Sequence, residues 1–184
     1  METKQTKSRN YTRALTTAAL MIALSMILSQ IKIFEMPQGG SVTLFGMLPV
    51  ILIGYLLGVR WGIIGGGVLG ILNLIFGGYV IHPVQLFIDY ILAFAVLGLS
   101  GLTRNSKHAL TSGYLIAIFS RYICAVISGI VFFGEYAPKG FNAVTWSLWY
   151  NITYIAAEGL ITIILINIPA IKKLFARLRL SLES

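Results

Sequence analysis

Three ionisable side chains stand in stretches that are otherwise apolar: Asp89, Arg121 and Glu158. A charge at bilayer depth costs a few kcal/mol or more, so residues of this kind point to a functional interior. Each belongs to a stripe. His82, Gln85 and Asp89 fall at i, i+3 and i+7, which aligns them along one helix face. Arg121, Ala125, Gly129 and Phe133 recur every four residues and join a charge, two small residues and a ring. Asn151, Tyr154 and Glu158 repeat the i, i+3, i+7 pattern, and Trp146, Tyr150 and Tyr154 share a face. Lipid cannot satisfy polar groups, so such stripes must face protein or water. They make either a hydrogen-bond network that only holds helices together or a ligand pocket in which Asp89 supplies negative charge. The cost of burying Asp89 favours the pocket, with Gln85 beside it. Arg121, His82 and Glu158 are then braces behind the ligand-facing residues. Arg121 pairs with Asp89 or with Glu158, and the sequence leaves both open. Acid–base catalysis by Asp89, His82 and Glu158 is a reading from another class. No nucleophile or metal-ligand set accompanies them at a recognisable spacing, so no catalytic residue and no metal site is assigned. Cys124 is the only cysteine, which excludes an internal disulfide and a cysteine-based metal site.

The elements that must position these residues follow from composition. Of 184 residues, 57% are hydrophobic and 11% charged, well under the roughly 25% charged of a soluble domain. The expectation is an all-α integral membrane protein, a single membrane domain over 1–184. Apolar runs of about 17–25 residues mark spanning helices. Six transmembrane helices are read, at roughly 14–33, 43–58, 61–78, 83–103, 110–134 and 145–171. The second and third are separated only by Val59-Arg60-Trp61, as a tight helical hairpin. With the N-terminus inside, eleven of the 14 basic residues fall on cytoplasmic segments, among them Arg13, Arg60, Arg104, Lys107 and Lys172. That asymmetry assigns both termini to the cytoplasm and the chain to the cell membrane. The net charge of +8 is then a topology signal and an attraction to anionic lipid, not a nucleic-acid footprint.

Other motifs are read by context. Gly65-Gly-Gly-Val-Leu-Gly70 matches a dinucleotide-binding pattern by letter, but no strand precedes it and it lies inside an apolar helix. Gly62, Gly66 and Gly70 instead form one small-residue stripe for close helix packing. Ala19 and Ala23 make a second such pair, for packing within the bundle or for docking a partner membrane protein. No phosphate-binding Gly-x-x-x-x-Gly-Lys-Ser/Thr loop occurs, so the chain carries no ATP engine of its own. Two turn-rich connections, Glu35–Ser41 and Glu135–Gly140, sit where they could fold over an outward-facing pocket.

Five ordered segments carry a resemblance: Met36-Pro-Gln-Gly-Gly-Ser-Val42, His82-Pro-Val-Gln-Leu-Phe-Ile-Asp-Tyr90, Ser128-Gly-Ile-Val-Phe-Phe-Gly134, Ala137-Pro-Lys-Gly140 and Tyr150-Asn-Ile-Thr-Tyr154. With them the chain resembles the thiamine-specific substrate-binding subunits, or S components, of energy-coupling-factor transporters. The resemblance implies a six-helix bundle that captures thiamine from outside and has no cofactor of its own. Its implied partners are a membrane-embedded coupling subunit and two cytoplasmic ATPase subunits, which use the ATP. It assigns Ala19 and Ala23 to docking of the coupling subunit. It matches the family's pocket acid to Asp89, next to Tyr90, and pocket-lining positions to Gly129, Phe133, Trp146 and Asn151. Phe34 is the nearest aromatic candidate in the first loop. Ala125 stands where the family usually has histidine, which keeps another heterocyclic vitamin such as riboflavin as an alternative ligand. Thiamine's chemistry suits the residues independently. Its thiazolium is a permanent cation that favours a carboxylate and aromatic faces, and its aminopyrimidine offers donors and acceptors to an Asp and an Asn.

Overall fold

The computed structural model describes residues 4–37 and 40–183. Helix α1 (Lys4–Gln30) leads into an antiparallel hairpin of two short strands, β1 (Lys32–Glu35) and β2 (Ser41–Thr43). Two closely spaced helices follow, α2 (Leu48–Leu57) and α3 (Val59–Ile75). Then come α4, a helical segment over Pro83–Thr103, α5 (Ala109–Phe132), α6 (Ala143–Asn167) and α7 (Pro169–Glu183).

Helix α2 is apolar on every side and every residue from Leu48 to Leu56 is buried. A helix of that kind belongs in the core. Its 10 residues rise only about 15 Å, half of a hydrocarbon layer about 30 Å thick. Asn10–Gln30, Pro83–Thr103, Ala109–Phe132 and Ala143–Asn167 are each long and apolar enough to cross a membrane. Their outer faces are apolar as lipid requires: Leu20, Phe119 and Ile164 are 66%, 63% and 70% exposed. The chain is thus an all-α membrane protein with one small hairpin, and its core gathers around α2, with Leu69, Leu97, Tyr114 and Ile166.

The glycine stripe decides where α4 lies. A Cβ on Gly62, Gly66 or Gly70 would run into the backbone at Gly98, Phe94 and Tyr90, respectively. The two antiparallel helices therefore meet backbone to backbone along three turns, which only small residues allow. Along its length α4 changes pitch: α over Pro83–Leu86, π over Phe87–Leu92, α over Ala93–Ala95 and 3₁₀ over Val96–Thr103. Such π turns often occur at functional sites, and this one contains Asp89 and Tyr90.

Several boundaries differ from the sequence reading. Val59, Arg60 and Trp61 lie inside α3, and the break falls on Gly58, whose φ of 95° suits glycine. The second and third runs shorten at their loop ends: Thr43 belongs to β2, α2 starts at Leu48, and α3 ends at Ile75. Lys32 and Ile33 leave the first helix for β1. The last span stops at Asn167 rather than 171. Ile168 is extended, with ψ 125°, because the residue before a proline is pushed out of the helical region. The Glu35–Ser41 connection closes as the hairpin turn, with Met36 N–H donating to Gly40 O at 2.7 Å. Its Gln38 and Gly39 fall outside the described residues.

Candidate functional site

A cavity of about 870 Å³ opens at the hairpin end of the bundle, between the hairpin, the end of α3, and α4, α5 and α6. That is the size of a small-molecule site. Its walls are rich in rings, including Tyr79, Tyr90, Phe133, Trp146, Tyr150 and Tyr154, and its charged side chains come in both signs.

Asp89 is presented by the π turn of α4. Its Oδ2 accepts a hydrogen bond from Gln85 Nε2 at 2.7 Å. Gln85, itself only 1% exposed, also donates to Tyr79 O and accepts from Ile81 N–H. This fixes the amide and aims its N–H at the carboxylate. The carboxylate also borders Ser128 and Arg121 of α5. Tyr90 lines the cavity next to Asp89, and its hydroxyl accepts from Tyr79 N–H at 2.6 Å. The two acids therefore stand in different settings. Glu158 is buried at 2% exposure, and its carboxylate accepts from Thr43 N–H, Thr43 Oγ1 and Met47 N–H, at 2.9, 2.7 and 3.2 Å. It ties α6 to the hairpin and to the start of α2.

Arg121 pairs with neither acid. Lys32 and Glu35 pair with each other at the cavity rim. The guanidinium instead lies over the Phe94 ring at 4.0 Å, and its Nη1 is buried without a hydrogen bond. A weakly hydrated planar guanidinium rests on a ring more readily than an ammonium does.

On α6, Trp146, Tyr150 and Tyr154 form a ladder with ring centroids 5.7 and 5.9 Å apart. Tyr150 Oη accepts from Gly40 N–H at 3.0 Å, and Gly40 itself packs on Tyr154 so closely that a Cβ would lie 2.7 Å from the ring. Asn151 donates to Ser147 O and Ala125 O and accepts from the Tyr154 hydroxyl, at 2.8, 3.3 and 2.8 Å. Gly129 admits this arrangement, since a Cβ there would sit 2.7 Å from Ser147 Oγ and 3.2 Å from Asn151 Nδ2. Phe133 packs between Tyr79 and Tyr136 at the mouth, tilted against both rings. The Tyr136 phenol, in the turn after α5, is held above the usual tyrosine range, chiefly by its hydrogen bond with Tyr79. It stays neutral at physiological pH.

Gln85, Asp89, Tyr90, Arg121, Gly129, Phe133, Trp146, Asn151 and Glu158 thus share one cavity. Two other residues singled out from the sequence do not. His82 is extended, caps α4 by accepting from Val84 N–H at 3.1 Å, and stacks on Phe132 outside the cavity. Being non-helical, it leaves the stripe that its spacing suggested. Phe34 is 61% exposed on β1 and absent from the walls, whereas Lys32 and Glu35 of the same strand border the cavity. Ala19 and Ala23 lie exposed on α1, whereas Ala18 joins the core. The sequence reading missed Thr43, Tyr79 and the roles of Tyr150 and Tyr154. The aromatic spacing on α6 signalled the last two; nothing local signalled the others.

A helical membrane protein that encloses a carboxylate and a ring-lined cavity beneath a hairpin is built to hold a small polar solute. Its class is that of the membrane solute carriers. The model of one family, described as thiamine transporter protein (Thia_YuaJ), matches residues 15–177. The chain belongs to that family. It is 40% identical over 164 residues to a thiamine transporter ThiT of Bacillus subtilis, covering 80% of this chain and 85% of that one. A thiamine transporter ThiT of Lacticaseibacillus paracasei is 33% identical over 141 residues, covering 67% and 70%. The solved structure of ThiT from Listeria monocytogenes superposes with a TM-score of 0.75 at 26% identity, over 90% of this chain and 98% of that one.

Proposed function

We propose that the chain is the thiamine-capturing S component of an energy-coupling-factor transporter, with thiamine seated in the cavity under the hairpin. The observation that carries this reading is the Asp89 carboxylate, aimed by Gln85 and surrounded by rings, in a chain of this family. A carboxylate can take both the positive charge and the amino group of the ligand, and the rings take its aromatic faces. Tyr90, Phe133 and Trp146 supply those faces in this reading. Asn151 and Gly129 shape the wall, while Glu158 and Arg121 brace it. The polypeptide performs no covalent chemistry.

The same reading takes α2 and α3 as the two short members of six spans and places both termini in the cytoplasm. Arg104 donates to Leu56 O at the α2–α3 turn, so the basic residues around it lie at the end opposite the cavity. The positive-inside rule then turns the cavity outward across the cell membrane. Uptake is powered by two cytoplasmic ATPase subunits through a membrane-embedded coupling subunit that docks on Ala19 and Ala23. Thiamine titrated into the purified protein quenches tryptophan emission at submicromolar concentration and is recovered chemically unchanged. A flat titration overturns the ligand, and a converted product overturns the transporter reading in favour of an enzyme.

A further inference from the structure

Helix α7 is not a continuation of α6. After the break at Ile168-Pro169 it folds back across the end of the bundle, where Phe175 and Leu182 pack against the core. The Arg179 guanidinium donates to Arg104 O and lies 5.4 Å from the Tyr55 ring centroid. Had the chain run straight, Arg179 would stand about 18 Å beyond the end of α6. The fold therefore lays α7 along the end of the bundle that is remote from the cavity.

The bundle covers only part of the helix's apolar arc. Ala170, Lys173, Leu174, Arg177 and Leu178 recur at three- and four-residue spacing, so they share a face. Leu174 and Leu178 are 51% and 37% exposed, and Lys173 and Arg177 are exposed beside them. Ala170, Ile171, Lys173, Leu174 and Arg177 line one shallow groove. An apolar strip edged by cations, at the end of a membrane bundle, matches the boundary between acyl chains and headgroups. Charge complementarity selects the occupant: Lys173 and Arg177 meet a phosphate, and Leu174 and Leu178 meet the chains beneath it.

We propose that α7 is a membrane-surface helix whose groove, edged by Lys173 and Arg177, seats an anionic phospholipid. The site lies outside the thiamine cavity and does not depend on what that cavity binds. Its test uses the full chain in nanodiscs of phosphatidylcholine, with or without phosphatidylglycerol, followed by thermal unfolding. Phosphatidylglycerol raises the unfolding temperature of the wild type. Lys173→Gln with Arg177→Gln loses most of that rise, while Lys173→Arg with Arg177→Lys keeps it. Inorganic phosphate added to phosphatidylcholine discs has no such effect. The wild type, purified from mixed micelles, retains phosphatidylglycerol over phosphatidylcholine by about tenfold or more, as two surface cations warrant. Equal retention of the two lipids, an undiminished rise in the glutamine variant, or the same rise with free phosphate overturns the proposal.

Discussion

Glu158, deep in α6, accepts hydrogen bonds from both the backbone N–H and the hydroxyl of Thr43, at 2.9 and 2.7 Å. One carboxylate thereby fixes the strand that lies over the cavity. Bonds to a charged acceptor contribute about 1.5–3 kcal/mol each. Glu158→Gln is expected to lower stability by about 2 kcal/mol or more, because its amide turns a donor toward donors. Thermal unfolding with Thr43→Val as the second arm of a double-mutant cycle measures the coupling, expected at about 0.5–3 kcal/mol. Strict additivity would show that the contact holds nothing.

Asp89→Asn keeps the shape of the side chain and removes its charge. Thiamine affinity is expected to fall about tenfold or more, the loss of one charge-assisted contact of about 1.5–3 kcal/mol. Isothermal titration reads it directly, and unchanged affinity would remove Asp89 from the ligand.

Gly66 and Gly67 make a matched pair. A Cβ at Gly66 would strike the Phe94 carbonyl, whereas one at Gly67 meets nothing within 4 Å. Gly66→Ala is expected to destabilise by about 1–3 kcal/mol through overpacking. Gly67→Ala is expected to be neutral or to stabilise by up to about 1 kcal/mol through helix propensity. Equal unfolding temperatures for the two variants would contradict the backbone contact between α3 and α4.

Arg121 and Phe94 form a cation–ring pair at 4.0 Å. A cycle of Arg121→Met and Phe94→Leu is expected to give a coupling of about 0.5–2 kcal/mol in unfolding. Zero coupling would mean that the ring does nothing for the guanidinium.

Ala125 lines the cavity and its carbonyl receives the Asn151 amide. A histidine there places a ring on the wall without touching the backbone contact. Ala125→His is expected to tighten thiamine binding severalfold, on the scale of about 1 kcal/mol for one added ring contact. Weaker binding in titration would show that the space is already filled by the ligand.

Much of the architecture is local in origin, and so it was legible. Pro83–Thr103 and Ala109–Phe132 lie within two residues of the runs read from hydropathy, because a lipid-facing helix must be apolar along its whole length. The glycine stripe of α3 announced a close packing, since glycines four residues apart have few other uses in such a helix. The hairpin was not legible. Its strands have four and three residues, too few for an alternation to register. The break between α2 and α3 was legible, but it falls on Gly58 rather than on the Val59–Trp61 segment read from the sequence.

By itself the sequence determined that the chain is a membrane protein, where its long helices run, and that Asp89, Arg121 and Glu158 are too costly to bury without a use. Only the tertiary structure decided what Arg121 and Glu158 meet. Glu158 found Thr43 across 115 positions of chain, Arg121 settled on a ring rather than an acid, and Asp89 took Gln85 from its own helix. Helical spacing fixes which side chains share a face, and so it offered Gln85 to Asp89. The partners of Glu158 and Arg121 come instead from the distant elements that pack against them.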